Sequence, residues 1–442
     1  MTGRPPTLLR AILTLLTGGA LAQLLPLLLG PLIARLFTPE AMGVFTQFST
    51  VAATLAVAAC LRYDWALPMA RRDEEARALL ALALRIALVM ALLCIPVAWA
   101  LHAWGLLPLP VLLPLAVVFS GLLQLLMMWA NRAQRFHALA ISRVLQWGGA
   151  AVAQLALGYW LWLGAKGEAL GSDAAWALAV APLAAQALAA LWLLRPSPLG
   201  GWRNVLLPAT RELRGAMRAA AQQHRDFALV NTPHAFLGTL QDALAVALLV
   251  AWTGEAAAGF WGLALRYLKA PATLVGAAVS QALYPRLVAA APAEARRMVR
   301  QTMMLLGLLG LALMVLLMVA GPWLFALVFG PAWREAGELA RALSPYIAAH
   351  FVAAPLAVVT MAWQAQRWAF RWALVGQAAF VLALAFGLRG GGLQGGAWAV
   401  SGVMIPYFGW YFYRLARWPR IPEPVTGHDA AQGNLERGGD LS

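Results

Sequence analysis

Long apolar runs separated by short polar breaks fill the chain from residue 9 to residue 415. A membrane-spanning helix needs about 20 consecutive apolar residues, so the pattern predicts about twelve transmembrane helices. Their predicted bounds are 9–36, 41–67, 78–102, 110–130, 139–164, 173–194, 226–252, 257–285, 301–328, 337–363, 368–388 and 395–415. Thr38 is a suitable N-cap for the second helix, and Pro39 suits its first turn.

Composition supports the same class of protein. Of 442 residues, 62% are hydrophobic and 12% are charged, against about 25% charged in soluble proteins. We therefore expect an all-α polytopic membrane protein, with about twelve helices in two six-helix bundles around a central cavity. The net charge of +15 does not indicate nucleic acid as a partner, because the arginines lie between apolar runs, where they report topology.

The distribution of cations predicts the orientation of the helices. With the N-terminus inside, most of the 33 Lys and Arg residues fall on the face that carries the N-terminus. The opposite face receives only Arg35, Lys166, Arg334, Arg341 and Arg389. Cytoplasmic loops are enriched in Lys and Arg, so both termini are expected on the cytoplasmic side of the membrane.

The longest polar interruption lies near the midpoint and predicts the domain organisation. We expect an N-terminal six-helix bundle over 1–194, a cytoplasmic linker over 195–225 and a C-terminal six-helix bundle over 226–418. The remainder, 419–442, is rich in polar residues, Gly and Pro and is expected to be a disordered cytoplasmic tail.

The linker carries a basic segment in which arginines recur at helical spacing, at Arg211, Arg214, Arg218 and Arg225. Leu213 and Met217 fall on another face of the same segment. Two interpretations stay open: an amphipathic helix lying on anionic lipid, or a solvated basic connector.

Two helix starts resemble each other. Thr38–Phe45, at the start of predicted helix two, is similar to Thr253–Phe260, at the start of helix eight, although the glycines match only with an offset of one residue. The similarity indicates either an internal repeat, as in many transporters, or chance.

Ionisable residues inside membrane helices are costly and usually face a bundle interior or an aqueous cavity. Helix eight carries two cations on a stripe about 100° wide. Its members are Gly259, Gly262, Arg266, Lys269, Thr273, Gly276, Ser280 and Tyr284. Such a groove suits a large or multiply charged anion; the alternative is that both cations snorkel or pair with acids elsewhere.

Helix seven has a polar stripe of the same width, formed by Asn231, His234, Gly238, Gln241 and Asp242. A surface that faces an aqueous lumen has this composition. His234 is either a hydrogen-bonded interhelical histidine or a titrating group. Asp242 is either an ion-coupling carboxylate or the charge partner of an arginine.

Helix two contains a third pair of charged residues, Arg62 and Asp64. Arg62 would lie about 14 Å inside the cytoplasmic boundary of a straight helix. Residues two apart on such a helix do not face each other, so each would need a partner elsewhere or a cavity. Arg62 is a further candidate for anion binding, and Asp64 for ion coupling or charge pairing.

Enzyme motifs are absent from the sequence. It has no phosphate-binding loop, zinc-protease motif or nucleophile elbow, and its two cysteines lie in apolar runs. The glycine-rich stretch Arg389–Gly396 is expected to be an external turn. We therefore expect no enzymatic activity, no cofactor and no metal.

Three blocks of residues resemble the Wzx-type oligosaccharide flippases of the multidrug/oligosaccharidyl-lipid/polysaccharide exporter superfamily. The first block runs from Leu15 through Phe37–Glu40 to Leu61–Asp64 and Asp73–Ala76, and includes the motif Arg62-Tyr63-Asp64, where the family pattern has Glu in place of Asp. The other blocks are 225–234 with 278–286, and 333–337 with 344–346.

The resemblance implies a twelve-helix inner-membrane protein that moves an undecaprenyl-pyrophosphate-linked repeat unit from the cytoplasmic to the periplasmic leaflet. The final glycan stays open among O-antigen of lipopolysaccharide, capsule, exopolysaccharide and another glycan, and a polysaccharide polymerase is a further candidate partner. The alternative is an ion-coupled drug exporter of the same superfamily. Such an exporter should carry clustered membrane carboxylates, whereas here the embedded cations outnumber the acids. A membrane glycosyltransferase or polymerase is a third, weaker class, because catalytic acids and a large periplasmic loop are both missing from the sequence.

Overall fold

The computed structural model describes residues 8–195, 210–419 and 421–422, with side chains from Ala22 onward. Within those ranges the chain is helical, and strand-like pairing is limited to an isolated bridge between Phe37 and Leu170. The α-helices of the described residues are α1 (Leu8–Leu36), α2 (Pro39–Ala56), α3 (Asp73–Ala103), α4 (Leu112–Arg132), α5 (Phe136–Arg143), α6 (Gly149–Gly164), α7 (Ala175–Leu193), α8 (Arg211–Gln223), α9 (Thr232–Thr253), α10 (Glu255–Ala289), α11 (Pro292–Phe329), α12 (Arg334–Ala362) and α13 (Gln366–Ala416). The predicted tail, 419–442, lies almost wholly outside the described residues, as does the linker segment 196–209.

Shorter helical turns join these elements. They are the 3-10 helices Tyr63–Met69, Ser172–Ala174 and Pro331–Trp333 and the π-helical turns Val144–Gly148 and Phe227–Asn231. In the part of the chain that the structure describes, seven helices are long and apolar enough to cross a membrane. The predicted fifth crossing is divided into α5 and α6 by a π-turn, whereas α13 contains both of the last two predicted crossings. The expected all-α polytopic membrane fold is confirmed.

The two halves of α13 are separated where the backbone leaves the helical conformation. Gly392 has φ +58° and ψ −151°, a combination that is essentially restricted to glycine. A Cβ on Gly387 would overlap the carbonyl oxygen of Gly395, so the two halves pack backbone against backbone. The glycine-rich stretch is therefore a turn between two crossings, as the sequence predicted.

The second predicted helix was too long. Thr38 caps α2 by accepting a hydrogen bond from the backbone N–H of Ala41, and Pro39 occupies the first turn. The helix ends at Ala56, however, and the chain continues through turns into the 3-10 helix Tyr63–Met69. Leu61 and Arg62 have φ values of +46° and +60°, and each left-handed residue of this kind costs about 1–3 kcal/mol unless its surroundings hold it.

Packing around the 3-10 helix holds this turn in place. Tyr63, Ala66 and Leu67 are buried in one core cluster with Leu79 and Leu80 of α3. Tertiary burial therefore overrides the helix-compatible sequence of residues 57–62.

The chain divides into two compact units by its internal packing. The first comprises 1–262 with 327–333, and the second comprises 263–326 with 334–442. The first unit has its core around α3 and α4, and the second has a core that includes Leu356 and Val359 of α12. The predicted functional division, with one bundle ending at 194 and another starting at 226, stays a prediction.

Candidate functional site

The first turns of α10 pack closely against α2. A Cβ on Gly43 would overlap the carbonyl oxygen of Glu255, and a Cβ on Gly259 would overlap the carbonyl oxygen of Pro39. The contact is reciprocal, because each glycine meets the residue four positions before the other. Gly43 therefore pairs with Gly259, one residue away from the register in which Thr38 aligns with Thr253. Small residues permit this close approach of the two helices, and the internal repeat stays a prediction.

The next turns of α10 carry the two predicted cations. The Arg266 side chain is exposed. Lys269 is half-buried, and Thr273 is exposed with its hydroxyl donating to the carbonyl of Ala270 at 2.8 Å. This middle part of the predicted stripe is accessible to a ligand.

The last part of the stripe is used for helix packing. A Cβ on Gly276 would lie 3.5 Å from the Pro355 ring of α12. The Ser280 hydroxyl donates to the carbonyl of Pro355 at 3.1 Å. Packing against Pro355 of α12 therefore explains why Gly276 and Ser280 are small or polar. The sequence had grouped both residues with the anion site.

A histidine that sequence analysis missed lies near Lys269. His350 of α12 is within electrostatic range of Lys269. Its ring stacks on Tyr346, with ring centroids 5.9 Å apart and planes 14° apart, and lies 6.4 Å from the ring of Phe408. The separation of four residues between Tyr346 and His350, one helical turn, was the available signal.

The polar stripe of predicted helix seven begins at Asn231, the last residue of the π-helical turn, and continues along α9. Asn231, His234 and Asp242 are exposed and Gln241 is half-buried. A Cβ on Gly238 would meet nothing within 4 Å. A different face of α9, with Ala245, Val246 and Leu249, is buried, and the Thr54 hydroxyl of α2 lies 3.3 Å from the carbonyl of Thr239. The stripe is therefore available to solvent or ligand.

Arg62 and Asp64 lie in and after a turn and not on a continuous helix, because α2 has already ended. The two side chains interact electrostatically, but among the described residues they form no salt bridge within 4.0 Å, and Arg62 Nε and Asp64 Oδ2 are buried without a hydrogen-bond partner. The Arg62 guanidinium lies 5.2 Å from the ring centroid of Trp65, and Asp64 is 1% exposed. The assumption of a continuous helix was wrong, whereas the expectation that each charge needs a partner elsewhere or a cavity stays a prediction.

The candidate residues fall in both compact units. Arg62, Asp64 and the α9 stripe belong to the first unit, whereas Arg266, Lys269, Thr273 and Ser280 belong to the second. Their assembly around one central cavity stays a prediction.

A protein family and several solved structures are similar to this chain. A family model described as "Polysaccharide biosynthesis protein" matches residues 32–338, which is more than half of the chain. The chain belongs to this polysaccharide biosynthesis family. No curated protein sequence matches it.

Solved structures show that members of this fold include transporters and flippases. The lipid II flippase MurJ, in an inward closed conformation, is similar to this chain with a TM-score of 0.63 and 9% identity, over 90% of this chain and 89% of that one. An inward-facing multidrug resistance MATE family transporter of the MOP superfamily has a TM-score of 0.61 and 14% identity, over 91% and 96%. At these identities the similarity shows the fold alone.

Proposed function

We propose that this family member is a flippase for an undecaprenyl-pyrophosphate-linked oligosaccharide repeat unit. It moves the unit from the cytoplasmic to the periplasmic leaflet of the bacterial inner membrane by alternating access. The bilayer holds the prenyl tail, and a polysaccharide polymerase that makes O-antigen or exopolysaccharide receives the product. Both chain termini are cytoplasmic in this proposal.

The observation that carries the proposal is the accessible middle of α10. Arg266 and Lys269 lie one turn apart between two packed segments of the same helix, in a chain that belongs to a polysaccharide biosynthesis family. Two cations in a medium of low dielectric attract a pyrophosphate much more strongly than they would in water. A lipid-linked sugar pyrophosphate combines this charge with the family's biosynthetic role.

The other candidate residues take supporting roles. Thr273 lies beside the cations, and the polar stripe with Asn231, His234 and Gln241 offers hydrogen bonds to sugar hydroxyls. Arg62 is a further cation for the anionic headgroup, and Asp64, which interacts with it electrostatically, is its candidate charge partner. The exposed carboxylate of Asp242 is the candidate for ion coupling. Ser280 is left out of the proposed site, because its hydroxyl already bonds the backbone of α12.

Removal of the α10 cations tests the proposal. In a host that lacks its own flippase and carries this gene, Arg266→Ala and Lys269→Ala should each slow transfer of repeat units to the periplasmic leaflet by about tenfold or more, because a hydrogen bond to a charged group contributes about 1.5–3 kcal/mol. The measurement is the leaflet distribution of lipid-linked oligosaccharides. Arg266→Lys, which keeps the charge, should retain part of the activity.

Arg85→Ala is the matched control. Arg85 is a cation of predicted helix three whose guanidinium donates to the Ala81 carbonyl of its own helix at 2.9 Å, so its loss should leave transfer unchanged at equal membrane abundance. Normal transfer in both α10 variants would overturn the site. Wild-type protein that protects cells from cationic drugs but leaves repeat units in the cytoplasmic leaflet would instead favour the rival drug exporter.

A further inference from the structure

The basic segment of the linker forms a helix that is attached to the first compact unit. It is α8, which begins after Thr210, whose hydroxyl caps the backbone N–H of Leu213. Ala220 is buried, and Leu213, Met217 and Ala221 pack against the core cluster that contains Leu79 and Leu80 of α3. The apolar face of this amphipathic helix is therefore covered by protein.

Polar contacts fix the end of α8 beside the start of α3. The Glu75 carboxylate lies 3.1 Å from Nε2 of His224 and accepts a hydrogen bond from the Gln223 amide at 3.2 Å. The Tyr63 hydroxyl donates to the carbonyl of Ala221 at 3.3 Å. Because α3 is a membrane-spanning helix that begins at Asp73, these contacts place the end of α8 near the level at which α3 enters the membrane.

Another face of α8 carries three exposed arginines, Arg211, Arg214 and Arg218, and the exposed Arg225 follows just after the end of the helix. We call these four residues the arginine row. In the described structure none of the four takes part in a salt bridge within 4.0 Å. Between Thr210 and Arg225 the acid on the helix is Glu212. An amphipathic helix normally binds membranes by inserting its apolar face, but here that face is already packed, which leaves electrostatic attraction.

We propose that the arginine row is a docking surface for the headgroups of anionic phospholipids of the cytoplasmic leaflet. Charge complementarity carries the choice of partner: a negative leaflet attracts each nearby cation with about 1 kcal/mol, and the attraction fades within a Debye length of about 8–10 Å. The contact of Tyr63 with α8 ties this surface to the turn that contains Arg62. The inference is independent of the substrate proposed above.

Lipid retention by the purified full-length protein tests the inference. Native mass spectrometry measures how many phosphatidylglycerol and phosphatidylcholine molecules remain bound when both are offered in equal amounts. The triple variant Arg211→Gln, Arg214→Gln, Arg218→Gln should lower the preference for phosphatidylglycerol by about tenfold, because it removes three cations that attract anionic headgroups. Raised salt should reduce the wild-type preference in the same direction.

A matched variant separates this surface from the general positive charge of the protein. Arg297→Gln, Arg367→Gln, Arg371→Gln removes three other exposed arginines of the predicted cytoplasmic face and should leave the preference unchanged. A triple Arg→Lys variant of the row should keep the preference, because a point charge suffices for this attraction, and it also shows that the helix tolerates substitution. Equal loss in both Gln variants, or no loss in either, would overturn the proposal; displacement of the lipid by millimolar inorganic phosphate would identify a free-phosphate site instead.

Discussion

The first turns of α10 and the turns that follow differ in what lies against the same stripe of small and polar residues. At Gly259 the helix touches the backbone of α2 and leaves no room for a Cβ. Two turns later, Arg266 is exposed and Thr273 bonds only within its own helix. One periodic pattern therefore serves two purposes, because small residues permit close helix contact whereas long cations need space and solvent or a ligand.

The comparison also shows why a polar stripe is not by itself a binding site. Ser280 belongs to the stripe but bonds the backbone of α12, as interhelical serines in membranes often do. The turns around Arg266 and Lys269 are accessible, whereas Gly276 and Ser280 pack against α12. Substitutions along α10 should therefore divide into those that lower stability and those that lower transport.

The largest expected effect comes from filling the closed contact. Gly259→Ala places a methyl group where the Pro39 carbonyl lies. Because backbone atoms cannot move as easily as a side chain, the substitution should cost about 3 kcal/mol, at the upper end of overpacking effects. We expect a clear fall in the thermal unfolding midpoint of the purified protein, together with loss of transport.

A glycine in open space provides the control for this substitution. A Cβ on Gly307 of α11 would meet nothing within 4 Å, so Gly307→Ala should be neutral or stabilising by about 0.5–1 kcal/mol, since alanine favours the helix. If Gly259→Ala unfolded at the wild-type temperature, the close contact between α2 and α10 would be disproved.

A smaller effect is expected at another buried contact of the first unit. Trp333 is 1% exposed, its indole N–H donates to the carbonyl of Ala34 at 2.8 Å, and its ring meets Phe260 edge to face. Trp333→Phe leaves that carbonyl without its donor, which should cost about 1–3 kcal/mol. The measurement is again the thermal unfolding midpoint.

An exposed tryptophan separates the hydrogen bond from the general effect of changing the ring. Trp323 of α11 is 61% exposed, so Trp323→Phe should leave the unfolding midpoint within error of the wild type. Equal midpoints for the Trp333 and Trp323 variants would show that the bond to Ala34 contributes nothing.

Most helices could be predicted from the sequence because long apolar runs dominate it. The N-cap at Thr38 and the turn around Gly392 were predicted by local chemistry that tertiary contacts did not change. The end of α2 could not be predicted in this way, since residues 57–62 contain neither Gly nor Pro. Packing against α3 imposes that end and brings Arg62 near Asp64.

The candidate site was harder to predict than the fold. Helical periodicity placed Arg266, Lys269 and Ser280 on one stripe. The residues that pack against each turn of α10, however, come from distant parts of the chain. His350 lies 81 positions after Lys269 in the numbering and within an apolar helix, so spacing along one helix could not associate the two. Long-range contacts alone distinguish the packed turns of α10 from the accessible ones.

The smallest expected effect concerns Ser280. It distinguishes a role in packing against α12 from a role in the anion site. Ser280→Ala removes the hydroxyl that donates to the Pro355 carbonyl, which should lower stability by about 1 kcal/mol. Transport at equal membrane abundance should stay at the wild-type level, because the hydroxyl is engaged by α12 and not by substrate. Thr273→Val provides the opposite case: its side chain is exposed, so we expect reduced transport with an unchanged unfolding midpoint. If Ser280→Ala lowered transport while stability was unchanged, the accessible part of the stripe would extend to Ser280, and the site would include this residue as the sequence pattern first indicated.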